Sequence, residues 1–274
     1  MSVATKQAGV GPLLRDWRQR RRWSQLDLAL EAEVSARHLS FIETGRARPS
    51  RELILHLAAH LDVPAREQNT LLLAAGYAPV YQETALDAPA MAPVRTALEK
   101  ILTSHEPFPA LVVNRRWELV SANQPALAIM TEGVAPALLT PPVNAMRVAL
   151  HPAGLAPRIV NFAEWSRHLL DRLRRQVVAS GDPELAALRA ELLDYPGVAA
   201  DPATHGDAAG LLFVPLVLRG QDGQHAHFFS TVTTFGSGLD ITLAELTVES
   251  FYPADAATAA LLGVRTRSSD SAGN

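Results

Sequence analysis

The sequence predicts an α+β chain: an all-α head of five short helices, then a five-stranded antiparallel sheet covered on one face by helices. Three observations predict it. Apolar residues recur at helical spacing through residues 9–77. The stretch from Ala78 to Pro93, with Pro79, Pro89 and Pro93 and little periodicity, reads as a linker. Beyond it come two strand-like runs, a helical middle and three more strand-like runs, the order of one sheet with helices laid over it. The expected division is 9–77, a linker over 78–93, a second domain over 94–262 and a disordered tail over 263–274.

In the head, Leu13, Leu14 and Trp17 begin a first helix, with an arginine run (Arg15, Arg18, Arg20, Arg21, Arg22) on its far face. Ser24 to Arg51 has the spacing of two short helices around a tight turn. Leu26, Ala29 and Leu30 make one apolar stripe and Val34, Leu39 and Ile42 another, so the pair buries its stripes face to face as a helix-turn-helix. Ser35 stands where the second helix needs an N-cap. That leaves Ala36, Arg37, Ser40 and Phe41 outward, near the start of the helix that meets base edges in this motif, with His38 beside them. Arg46, Arg48 and Arg51 follow, so cations flank the reading helix on both sides and phosphates are their expected targets. Gln25 opens the preceding helix, where its amide can address a phosphate or a base edge. Arg51 to Leu61 and Arg66 to Ala75 complete five helices, with Pro64 before the last and Gly76 after it. His56 and His60 share a helical face, but without a third ligand nearby no metal is expected.

The phrase from Val34 to Gly45, VSARHLSFIETG, carries a resemblance: residues 9 to 77 are similar to the helix-turn-helix domain of the XRE family, which includes phage repressors. The resemblance implies base contacts from Ala36, Arg37 and Phe41, a DNA contact from Gln25 and a structural role for Glu43.

Charge divides with the chain. Residues 1–80 hold 11 Lys and Arg against 8 Asp and Glu, whereas residues 81–274 hold 14 against 20, within a formal net charge of -3. The basic share lies with the helix-turn-helix. A hydrophobic content of 48% over 274 residues is enough for two cored domains. No apolar run of membrane-spanning length occurs and MSVATKQAG lacks a signal-peptide core, so the cytoplasm is the expected location, with no membrane partner. The absence of cysteine removes disulfides, thiolate catalysis and cysteine-bound metal.

After a helix over Val94 to Thr103, Ala110 to Val113 and Trp117 to Ser121 read as strands joined by Asn114-Arg115-Arg116. Asn123 caps a helix to about Met130, and Pro142 to His151, Phe162 to Ala179 and Pro183 to Leu193 are helical. Leu211 to Arg219, His225 to Phe235 and Asp240 to Ser250 are the last strands. This order resembles a PAS-like sensor. The wording of HEPFPALVVNRRWELVSAN, PPVNAMRVALHPAGLAPRIVNFAEW, FFSTVTTFG and ESFYPAD resembles the ligand-binding domain of MmyB-like transcription regulators. The resemblance implies a sensor fold and an apolar ligand, a member having been seen to hold a fatty acid.

A pocket between sheet and helices is the default ligand site. Asn144, Arg147, His151, Arg158 and Asn161 lie in or beside the stretch that crosses the sheet, and an arginine there suits a carboxylate, with Arg147 and Arg158 first. Trp117, Leu119, Phe213, Phe228 and Phe229 are candidate walls. His225 and His227 share a strand face without further ligands at metal spacing. Gly236-Ser237-Gly238 is a turn, not a nucleophile elbow, and no Walker loop, GxGxxG or HExxH occurs, so neither an enzyme nor a cofactor is expected; non-covalent haem or flavin stays open. The expected function is a sequence-specific DNA-binding transcription regulator that reads a double-stranded operator as a homodimer and senses a small apolar or acidic ligand. The alternative is a ligand-free second domain that fixes the dimer and contacts RNA polymerase.

Overall fold

A computed structural model of the chain describes residues 9–198, 214–235 and 240–263. They form two compact units, one of the residues up to Glu83 with Asp240 and Ile241, the other of the remainder.

The first unit holds α1 (Val10–Arg20), α2 (Gln25–Glu31), α3 (Ala36–Glu43), α4 (Arg51–His60) and α5 (Ala65–Ala74). Serines start three of them. Ser24 and Asp27 exchange side-chain to backbone bonds as a capping box on α2, and Ser35 and Ser50 accept from the amides of His38 and Leu53. Leu14, Leu28, Leu39, Ile42, Ile54, Leu57, Leu61 and Leu72 are wholly buried. The stripe expected on α2 is corrected here. Leu28, Ala29 and Ala32 face the core, whereas Leu26 and Leu30 are 59% and 70% exposed. Seven residues carry two helical stripes that share Ala29, and the one with Leu28, continued by the C-cap Ala32, is the one buried. Close approach also explains Gly11, where a β-carbon would stand 2.3 Å from the Ile42 carbonyl oxygen on α3.

Within 78–93, Asn69 of α5 accepts from the Val80 and Tyr81 amides and donates to the Tyr81 carbonyl, and Met91, in a 3₁₀ turn, is buried. The chain continues with α6 (Ala92–Ser104), β1 (Ala110–Val113), β2 (Leu119–Ala122), α7 (Gln124–Thr131), α8 (Ala145–Leu150), α9 (Phe162–Ser180), α10 (Pro183–Leu193), β3 (Leu216–Arg219), β4 (His225–Thr234), α11 (Ile241–Ala244), β5 (Thr247–Pro253) and α12 (Ala256–Leu261), all of the second unit except Ile241. The strands form one antiparallel sheet in the order β2-β1-β5-β4-β3. The chain is α+β, as expected.

Three expectations change. The strand expected from Asp240 becomes the turn of α11 before β5, because Leu243, Ala244 and Glu245 favour helix. Helices cover both faces of the sheet, since α7 to α10 lie over Leu111, Val113, Leu218 and Phe228, while Leu98 and Leu102 of α6 pack on Ala110, Val112 and Val248 behind. Trp117 belongs to the hairpin turn rather than a strand. Its φ is +64°, a left-handed conformation that glycine or asparagine adopts at less cost, and its amide donates to the Asn114 carbonyl. The first residues of the strand expected over 211–219, and the turn 236–238, lie outside the described residues.

Candidate functional site

The face expected to read DNA is that of α3. Arg37 and His38 are exposed, Ser40 and Phe41 half-buried, and the Arg37 guanidinium sits 5.4 Å from the centre of the Phe41 ring. Ala36 leans on the core. Arg46 and Arg51 are exposed beyond the helix, and Arg48 spends one guanidinium nitrogen on the Ala75 carbonyl at 2.8 Å.

Behind this face lies a network that fixes α3. Arg18 donates from Nε and Nη2 to the two carboxylate oxygens of Glu43 at 2.7 and 2.8 Å and from Nη1 to the Trp23 carbonyl at 2.7 Å. Gln25 donates to Glu43 Oε2 at 2.8 Å, so one N–H of its amide holds α3 while the second N–H and the carbonyl oxygen are not used in that bond. Burial works against ionisation of Glu43. The hydrogen bonds from Arg18 and Gln25 and the charges of Arg18 and Arg15 outweigh it and hold the carboxyl below its ordinary value. Arg18 is therefore no phosphate contact, and Arg21 likewise turns inward, to the Leu61 and Asp62 carbonyls. The expected structural role of Glu43 has its partner in Arg18.

In the second unit a cavity of about 90 Å³ lies between the sheet and its covering helices. Leu111, Leu216, Leu218, Phe228 and Phe251 form its floor, and Met130, Met146, Val148, Trp165 and Leu169 come from the helices above. Trp117 closes one end, its indole nitrogen donating to Gln176 at 2.8 Å and its ring carrying the Arg172 guanidinium at 4.4 Å. Glu249 of β5 is the one charged side chain among the described residues that line it.

Residues 10–71 match a helix-turn-helix domain family, and residues 94–263, more than half of the chain, match the family described as MmyB-like transcription regulator ligand binding domain. The chain belongs to the MmyB-like transcription regulators. This MmyB-like regulator thus joins a DNA-binding head to a ligand-binding domain. Among solved structures it is similar to an RNA-binding Light-Oxygen-Voltage receptor, at 15% identity over 92% of this chain and 60% of that one, with a TM-score of 0.28. The regulator therefore spans 60% of that receptor's length, and a likeness so loose carries no argument. No curated protein matches it. Among the described residues no helix is long and apolar enough to cross a membrane, and no three His, Asp or Glu side chains gather as metal ligands would.

The residues nominated from the sequence fall into two sets in this MmyB-like regulator. Trp117 and Phe228 line the cavity. Asn144 caps α8 through the Met146 and Arg147 amides and donates to the Arg116 carbonyl, and Asn161 ties the start of α9 to Pro215 and Val217. Arg147 makes a two-bond pair with Glu191 at 2.8 and 2.7 Å, outside the cavity. The Tyr195 hydroxyl donates to the same carboxylate, and its burial together with that bond pushes the phenol up to about 12. His151 packs edge-on against Tyr195. Arg158 pairs with Glu132 at 2.6 Å and donates to the Glu132 carbonyl at 3.0 Å. Phe229 stacks on Tyr252, Leu119 packs at the edge of the core, and Phe213 lies outside the described residues.

Glu249 and Arg172 escaped the sequence reading. The signal for Glu249 is a lone carboxyl inside the strand TVESFYP, in phase with Phe251. Nothing in the helix FAEWSRHLLDRLRRQVVAS separates Arg172 from its neighbours Arg174 and Arg175.

Proposed function

We propose that this regulator reads an operator in cytoplasmic double-stranded DNA with α3, as a homodimer of XRE type, and that a small, mostly apolar ligand in the second unit alters the binding. Residues 9–77 would be the reading domain and 94–262 the sensing domain, with 78–93 between them. The observation that carries the ligand is the cavity, whose walls are aliphatic and aromatic apart from Glu249. Its volume is below the roughly 150 Å³ at which an engineered apolar cavity takes benzene, so a larger ligand requires the walls to give. Met130 and Met146 are walls of the adaptable kind. Such a ligand shifts DNA binding only by binding two arrangements of the protein unequally.

A dimer supplies paired half-sites, one eight-residue helix covering only a few base pairs. A fatty-acid chain suits the walls. Its carboxylate finds Arg147 and Arg158 engaged elsewhere, which narrows the headgroup question to Arg172 and Glu249.

The test is mass spectrometry of the organic extract of purified protein, followed by fluorescence anisotropy on an operator selected from random DNA, with and without the compound found. A stoichiometric compound that changes operator affinity supports the reading. An empty extract, with operator affinity indifferent to every apolar compound tried, would replace it by the ligand-free module that holds the dimer or contacts RNA polymerase.

A further inference from the structure

Glu249 stands in an unusual place. It is 5% exposed, and in register it lies between Leu111 of β1 and Val232 of β4. Its carboxylate accepts from Arg172 Nη1 at 3.2 Å and from the Ser230 hydroxyl. Arg172 is not itself part of the cavity wall. It lies on the far side of Trp117, where a second, polar hollow is lined by Asn114, Trp117, Arg172, Gln176 and Thr247. A molecule in the apolar cavity therefore meets the carboxyl group, with the guanidinium behind it.

Replacing a buried ion pair by apolar residues is often neutral or stabilising, so the pair is weakly explained by stability alone. An ionised carboxylate accepts only, with room for about four hydrogen bonds, and Arg172 and Ser230 use part of that capacity. Resting on the reading of the cavity as a ligand site, we propose that the polar end of the ligand is a hydrogen-bond donor, an aliphatic hydroxyl or amine, received by Glu249, and that the cavity selects against carboxylates. A carboxylate would have to displace Glu249 from Arg172 and leave two anions side by side in an apolar enclosure. Burial pushes the Glu249 carboxyl up from its ordinary value against the pull of Arg172 and Ser230, and a donor arriving from the cavity side supports the charge that burial opposes. Trp117 contributes by position, since its ring carries the Arg172 guanidinium, which in turn donates to the carboxylate.

The test uses the full chain and four probes: hexan-1-ol, hexylamine, hexanoate, and benzene for the bare cavity. Binding at neutral pH is followed by calorimetry and by the fluorescence of Trp117 and Trp165, both of which line the cavity. The alcohol or the amine is expected to bind at least tenfold more tightly than hexanoate, and whichever is tighter says whether the donor is neutral or cationic. The doubly substituted Glu249→Leu/Arg172→Leu protein, its fold checked by thermal melting, is expected to keep benzene and lose the headgroup preference. Hexanoate binding tightest, or a preference unchanged in the double variant, overturns the proposal. Benzene bound with no headgroup discrimination in the natural protein also overturns it while leaving the cavity as a ligand site. No probe bound, benzene included, removes the ligand site itself and this inference with it.

Discussion

Replacing Arg18 by methionine strips three hydrogen bonds from the interior of the DNA-binding unit and leaves the Glu43 carboxylate with Gln25 alone. Both partners are enclosed, Arg18 at 7% and Glu43 at 5% exposure, and their contact is the two-bond kind at 2.7 and 2.8 Å. Breaking one side of such a pair costs about 3–5 kcal/mol, because the orphaned charge keeps its desolvation penalty. For a unit of this size each kcal/mol moves the melting point by about 4–8 °C, so even the lower figure predicts a fall of more than ~10 °C. Thermal unfolding followed by circular dichroism reads it. The companion protein, Arg18→Met with Glu43→Leu, removes both charges and is expected to recover most of the loss. A single variant that melts within a few degrees of the natural protein, or a double variant as unstable as the single, would refute the argument that the pair's cost is an uncompensated charge.

Glu43 also predicts an acid limit. Its folded-state pKa lies below the unfolded one, so its stabilisation is fully present above about 4.5 and is lost as pH falls through the folded value. Glu43→Gln should flatten stability against pH in that window; an unchanged slope would assign the acid limit to other carboxylates. Arg37→Ala should cost about 1–3 kcal/mol on the selected operator and little on random DNA if Arg37 reads a guanine, whereas equal losses on both would make it a phosphate contact. Arg147→Ala should lower stability by at most about 1 kcal/mol, its pair with Glu191 being partly solvated at 43% and 38% side-chain exposure. It should also leave apolar-probe binding unchanged, and lost binding in calorimetry would return Arg147 to the ligand site.

Legibility in the sequence followed the range of the interaction. The helix-turn-helix could be read because its signals are local: a serine before each of α2, α3 and α4, and Leu39 and Ile42 at helical spacing. Leu26 and Leu30 misled because a two-turn helix offers two stripes that share Ala29, and nothing local says that Leu28, Ala29 and Ala32 are the side turned to the core. Arg18 and Arg21 could not be told from phosphate ligands, since a list of arginines carries no direction. The strands of the second unit were placed by alternation and turn residues, but covering of the second face depends on α6, more than a hundred residues before β5 in the chain. For the same reason Arg147, Arg158 and Asn161 looked available: their partners Glu191, Glu132 and Val217 are contacts made across the fold.

The two-sided burial of β1 and β5 has a mechanical consequence. Alternate residues of these strands serve different rooms: Leu111, Glu249 and Phe251 wall the cavity, while Ala110, Val112 and Val248 seat α6 behind. The partition between them is one polypeptide thick. A shift of the β5 backbone at Glu249 or Phe251 would carry Val248 with it, so a displacement of that strand from the cavity side would be felt at α6 through the strand itself. Close packing on the α6 side leaves little slack to absorb the movement.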